Sequence, residues 1–113
     1  MHELVALRSV IAKVSREAER LGKKRVSLLR LGVSRMLGSD AEHIKETFQI
    51  ASAGTVAEAA ELVVGELPFE IRCDACGGEF KSESPLMECP RCRSTEVNVL
   101  PQEELALLEV RYR

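Results

Sequence analysis

Four cysteines place the strongest constraint on this chain. They stand as Cys73-x2-Cys76 and Cys89-x2-Cys92, with twelve residues between the pairs. The surrounding stretch, from about Ile71 to Val99, is poor in apolar residues, carries no helical period and is rich in Gly, Pro, Ser and Cys. A segment of that kind buries too little apolar surface to fold unaided, so it needs a staple. A two-residue gap lets both sulfurs of a pair point at one ion while nearby amide groups turn toward the thiolates. Gly77 and Gly78 follow the first pair, where such a knuckle tends to need positive φ. Pro90 stiffens the second pair. The spacing therefore predicts a structural Zn(II) held by Cys73, Cys76, Cys89 and Cys92. Four thiolates fill the tetrahedron and leave no position for water, so the ion is a staple and not a Lewis acid. Iron in a rubredoxin-like site is the chemical alternative, since four tetrahedral sulfurs suit both metals. Two disulfides are the alternative in an oxidising setting.

The rest of the chain carries ordinary periodic patterns. Leu4, Leu7, Ile11, Val14, Ala18 and Leu21 recur at helical spacing, with Val10 widening the stripe, and Gly22 ends it. Residues 25–33 read as a strand with Val26 and Leu28 on one face and Leu29, Leu31 and Val33 on the other. A turn containing Gly38 follows. Ser39 and Glu42 form a capping-box pattern ahead of a second helix with Ile44, Thr47, Phe48 and Ala51 on its apolar face, closed by Gly54. The Ala-rich 56–60 region is ambiguous. Glu61 to Leu67 reads as a second strand, punctuated by Pro68. After Pro101 a last strand runs to the end, with Leu105 and Leu107 alternating with Ala106, Leu108, Val110 and Tyr112. The expectation is an α+β fold: a small sheet of about three strands with two helices, plus an inserted zinc-ribbon lobe. The α/β lobe comprises residues 1–69 and 102–113, and the cysteine lobe residues 70–101.

Composition narrows the function. The net charge of −2 and pI near 5.8 argue against a general nucleic-acid binder. No apolar run approaches the roughly 18–20 residues of a membrane span, and charges from Glu3 to Glu17 interrupt any signal-peptide core. A cytoplasmic location follows, where four cysteines favour a metal over disulfides. An enzyme reading has little support. There is no Gly-rich phosphate loop, no Ser-His-Asp set, and two histidines leave few acid–base candidates.

The chain opens Met1-His2-Glu3. A free terminal amine, the amide nitrogen of residue 2 and the His2 imidazole can chelate one ion together, which favours a tetragonal ion such as Ni(II) or Cu(II). Glu3 offers a further oxygen or amide ligand. The bulk of position 2 predicts that the initiator methionine is retained. His43, beside Glu42 and Glu46, is read as an exposed helix residue outside the ligand set.

Together these features resemble the HypA/HybF family of nickel metallochaperones. The resemblance rests on the opening Met-His-Glu before an amphipathic helix and on the run from Glu46-Thr47-Phe48 to Gly54-Thr55. It rests also on Ala60 to Leu62 and on the late CxxC…CxxC lobe. It implies a non-enzymatic carrier that takes Ni(II) at Met1, His2 and Glu3, holds structural Zn(II) at the four cysteines and serves hydrogenase maturation. It also implies a HypB-type GTPase and a nickel–iron hydrogenase large-subunit precursor as partners, and in some organisms urease maturation proteins. The expected assembly is a monomer or weak homodimer. Three features depart from the family's habit, one being that no histidine flanks the cysteines, as some relatives have. The loop after the first strand reads Val33-Ser34-Arg35-Met36-Leu37-Gly38 where relatives resemble Gly-Glu-Leu-Ser-Gly, and Arg93 stands where a glycine often follows the second cysteine pair. The competing reading is a zinc-ribbon adaptor for nucleic acid or a protein complex, with Arg20, Lys23, Lys24 and Arg25 as its phosphate contact.

Overall fold

A computed structural model describes residues 2–35, 40–84 and 88–113. Helix α1 (His2–Leu21) begins at the second residue, two earlier than the Leu4 start of its apolar stripe. Leu7, Ile11, Val14 and Ala18 are buried on one face. Leu21 departs from the predicted stripe and is exposed, because the helix ends there and the chain turns away at Gly22. Gly22 takes φ of 71°, and the Lys23 amide closes the end by donating to the Ala18 carbonyl at 2.8 Å.

Strand β1 (Val26–Ser34) is the centre of a three-stranded sheet, between β2 (Glu61–Leu67) and the C-terminal strand β6 (Leu105–Tyr112). It runs parallel to β2 and antiparallel to β6. A parallel pair needs a long crossover, and helix α2 (Ala41–Ser52) supplies it. Ile44, Thr47 and Phe48 of α2 are buried. Ile44 and Phe48 close over Leu29, Leu31 and Val33 together with Leu7, Ile11 and Val14 of α1.

Three local expectations need correction. Val26 lies in the core together with Leu29, not on the face opposite to it. The β1–β6 register shifts between Val26 and Leu28, which resets the two-residue alternation. The same happens in β6, where the register shifts opposite Arg30 and Leu31 and leaves Leu108 unpaired. Leu108 is exposed, whereas Val110 and Tyr112 join Leu105 and Leu107 against the core. The cap of α2 is Asp40, not Ser39: its side chain accepts the His43 amide at 2.8 Å. The predicted turn at Gly38 lies outside the described residues.

A second sheet, ordered β4-β3-β5, carries the cysteines: β3 (Phe69–Cys73), β4 (Glu79–Ser82) and β5 (Val97–Val99). It enters the chain between β2 and β6. Two contacts tie the sheets at this junction. The Ser34 hydroxyl meets Gln102 Oε1 at 2.9 Å, and Gln102 Nε2 donates to the Pro68 carbonyl at 3.2 Å. Arg35 reaches across as well, pairing with Glu66 of β2 at 2.9 Å and with Glu83 beyond β4.

Candidate metal centres

The two cysteine pairs are built as near-copies of one turn. In the first, the Cys73 amide donates to the Gly78 carbonyl at 2.9 Å and the Gly77 amide donates back to the Cys73 carbonyl at 2.9 Å. In the second, the Cys89 amide donates to the Ser94 carbonyl at 2.8 Å and the Arg93 amide donates to the Cys89 carbonyl at 2.8 Å. The residue after each second cysteine sits in the left-handed region: Gly77 at φ 75° and Arg93 at φ 65°. Gly78 has an ordinary φ. Its lack of a side chain serves packing, because a Cβ there would lie 2.8 Å from the Phe80 ring.

These turns bring all four sulfurs within 4.8 Å of one another. Cys73 and Cys92 are 3.6 Å apart, and Cys76 and Cys89 are 3.7 Å apart. Two ligands about 2.3 Å from one ion at the tetrahedral angle stand roughly 3.8 Å apart. A disulfide needs about 2.05 Å, and all four cysteines are free. The geometry thus fits one tetrahedral ion shared by both pairs. Cys73 and Cys89 are fully buried, while Cys76 and Cys92 face solvent.

Backbone dipoles favour anionic sulfur here. The amides of Arg91 and Cys92 donate to Cys89 Sγ at 3.3 and 3.4 Å. Burial pushes the Cys89 thiol up, but the Cys92 and Arg91 amides, with the thiols of Cys92 and Cys76, outweigh it and bring Cys89 down to about 6. Cys92 takes the opposite place in the group. The Ser94 amide lowers it, yet the Cys73 thiol, burial and the thiols of Cys89 and Cys76 hold it up at about 12. A cation at the centre would bring all four thiols down, Cys92 included, because it favours every thiolate at once. Among the described residues this is the one cluster of three or more His, Cys, Asp or Glu side chains with metal-ligand spacing.

The N-terminal constellation is placed in part. Met1 lies outside the described residues. His2 opens α1 by its backbone, and Glu3 lies in the first turn with its side chain 17% exposed. His43, set aside as a ligand on sequence grounds, lies in the first turn of α2 with its Nε2 3.9 Å from Glu3 Oε1. Sequence periodicity places His43 on a helix face but carries no signal for this neighbour forty positions away.

Residues 1–112 match the family described as the hydrogenase/urease nickel incorporation metallochaperone HypA. The chain belongs to the HypA family. Among curated relatives, the hydrogenase maturation factor HypA of Chlorobium limicola is 34% identical over 97% of this chain and 95% of its own. That of Chlorobaculum tepidum is 36% identical over 95% of both. The fold is likewise that of solved HypA structures. The nickel metallochaperone HypA from Helicobacter pylori superposes with a TM-score of 0.74 at 20% identity, over 97% of this chain and 96% of that one. A second HypA solution structure gives 0.77 at 22% identity, over 100% and 97%. The α+β architecture, with two helices and two small sheets, is therefore the fold of those HypA structures, and this chain carries its four-cysteine cluster within it. Membership also makes it a maturation factor in kind. No helix among the described residues is long and apolar enough to cross a membrane.

Proposed function

We propose that this chain is a nickel carrier with two metal sites of opposite character. One is a Zn(II) ion locked in the four-sulfur cage. The other is a releasable Ni(II) ion held by the Met1 amine, the amide and imidazole of His2, and Glu3. The carrying observation is the HypA family match that spans residues 1–112 and so includes this tripeptide. The two lobes, residues 1–69 with 102–113 and residues 70–101, divide the work between cargo and staple.

The physical demands differ. The cage must exchange slowly, because losing its ion unfolds the cysteine lobe. The carrier site must give its ion up, and ligands at a chain end can be displaced one at a time without unfolding anything. The positive end of the α1 dipole sits at the same place and mildly disfavours a cation, which suits release. Imidazole protonation near its reference pKa of about 6.5 competes with the metal, so nickel affinity falls on mild acidification. The cargo passes, in the cytoplasm, to a HypB-type GTPase and on to the nickel–iron hydrogenase large-subunit precursor, with urease maturation proteins as a second destination. The chain catalyses no covalent step and works as a monomer or weak homodimer.

The test is nickel binding by the untagged chain, by His2→Ala, and by a chain extended ahead of Met1. The untagged chain binds Ni(II), and the other two lose it with their zinc content unchanged. Equal nickel binding in all three overturns the terminal chelate.

A further inference from the structure

Positive charge is concentrated at the end of α1 that lies away from the terminal tripeptide. Arg16, Arg20, Lys23, Lys24 and Arg25 are all exposed there, with only Glu17 and Glu19 interspersed. Glu17 is committed to Arg20. Among the described residues no ion pair reaches Arg16, Lys23, Lys24 or Arg25. Lys13 stands outside the set, because it lines a groove between α1 and β6 together with Glu103 and Glu104.

Composition does not produce this cluster, since the chain as a whole has a net charge of −2. The helix dipole favours cations in the last turn of α1, which accounts for Arg20 and the lysines just beyond it. It does not account for Arg16, one turn earlier, or for Arg25 at the entry to β1. Like charges four residues apart on a helix, as at Arg16 and Arg20, destabilise it slightly. The backbone that carries the cations is tied down. The Lys23 amide donates to the Ala18 carbonyl at 2.8 Å, the Arg113 amide to the Arg25 carbonyl at 2.9 Å, and the Val26 amide to the Val56 carbonyl at 2.9 Å. Little ordering is therefore needed when a partner arrives. Between Arg20 and Lys23 stands Leu21, 45% exposed although helical periodicity would bury it. An apolar centre with a charged rim is the layout of a small docking site.

We propose that this patch docks an acidic segment of a protein partner, which sets carboxylates against the cations and an apolar side chain on Leu21. Arg16, Arg20 and Arg25 can each hold a carboxylate through two parallel hydrogen bonds. Nucleic acid is a poorer match, because residues 16–25 contain no aromatic ring on which a base could stack. An anionic membrane is a poorer match too. The apolar face of α1 is committed to the core and leaves only Leu21 at this end to insert. Arg16 lies about 20 Å along the helix from His2, so a partner docked here leaves the start of α1 clear. The docking depends on no metal at that end.

The experiment is fluorescence anisotropy of a labelled decapeptide, four glutamates on either side of two leucines, titrated at low salt with the zinc-loaded full chain. One variant combines Arg16→Gln, Arg20→Gln and Lys24→Gln. A control combines Lys45→Gln, Arg72→Gln and Lys81→Gln, which removes the same charge elsewhere. A third, Leu21→Gln, leaves the cations in place. Glutamine is a good helix former, and circular dichroism with zinc content verifies folding. The patch variant is expected to bind about tenfold more weakly, Leu21→Gln about threefold more weakly, and the control within about twofold of the parent. No binding by the parent overturns the inference. Equal losses in the two triple variants also overturn it, since they reduce it to net charge, as does full binding by Leu21→Gln, which reduces it to an ion cloud. Tighter binding of a labelled ten-nucleotide single strand, or of phosphatidylglycerol vesicles, overturns the partner class. Nickel is left out throughout, so failure here leaves the terminal chelate untouched.

Discussion

Replacing Arg93 with glycine is expected to tighten the cysteine lobe. Arg93 and Gly77 occupy equivalent places in the two turns, each donating its amide to the carbonyl of the first cysteine of its pair. Both hold a left-handed backbone, at φ 65° and 75°. A residue with a Cβ spends about 1–2 kcal/mol to adopt that conformation. Glycine adopts it freely but loses more chain entropy on folding, about 0.5–1 kcal/mol. The difference leaves Arg93→Gly more stable by roughly 0.5–1 kcal/mol. Gly77→Ala moves the other way by a similar amount. A Cβ at Gly77 meets nothing within 4 Å, so that loss is backbone strain without a steric part. Because metal binding and folding of such a lobe are one process, both changes appear as zinc affinity. In competition with a chromogenic chelator, Arg93→Gly holds zinc about two- to fivefold more tightly, and Gly77→Ala releases it more easily by about the same factor. Weaker retention by Arg93→Gly, or no cost for Gly77→Ala, would refute the matched-turn reasoning.

Other consequences can be checked by thermal or urea unfolding of the zinc-loaded chain. Asp40→Ala removes the cap of α2 and costs about 1 kcal/mol, whereas Asp40→Asn retains the acceptor and costs little. Gly32→Val destabilises by about 1–3 kcal/mol, since even a Cβ at Gly32 would stand 2.5 Å from Leu67 Cδ2 and 3.2 Å from Leu108 Cδ1. Tyr112→Phe is neutral or stabilising, because the Tyr112 hydroxyl is buried with no hydrogen-bond partner among the described residues.

The parts of the molecule that were legible in the sequence are those governed by local chemistry. The cysteine spacing predicts a four-sulfur cage because each two-residue gap forms its own turn, and the sulfur separations of 3.6 and 3.7 Å bear that out. The stripe from Leu7 to Ala18 and the span of β2 are equally local. What was not legible depends on partners. The faces of Val26, Val110 and Tyr112 are set by register shifts between β1 and β6, which no alternation pattern within one strand contains. The cap of α2 turned on one residue, with Ser39 and Asp40 both acceptable as acceptors by type. The approach of His43 to Glu3 arises from the packing of α1 on α2 and has no signature in either segment. The departure at Arg93 was visible as a residue type, but only its φ of 65° shows that the backbone still adopts the conformation a glycine would favour.

The measurement closest to the central claim is elemental analysis of the untagged chain before and after equilibration with Ni(II) at neutral pH and removal of free metal. The account predicts one zinc per chain throughout and one nickel gained, with the nickel removed by a mild chelator that leaves the zinc in place. Nickel that enters only as zinc departs, or no nickel uptake at all, would contradict it.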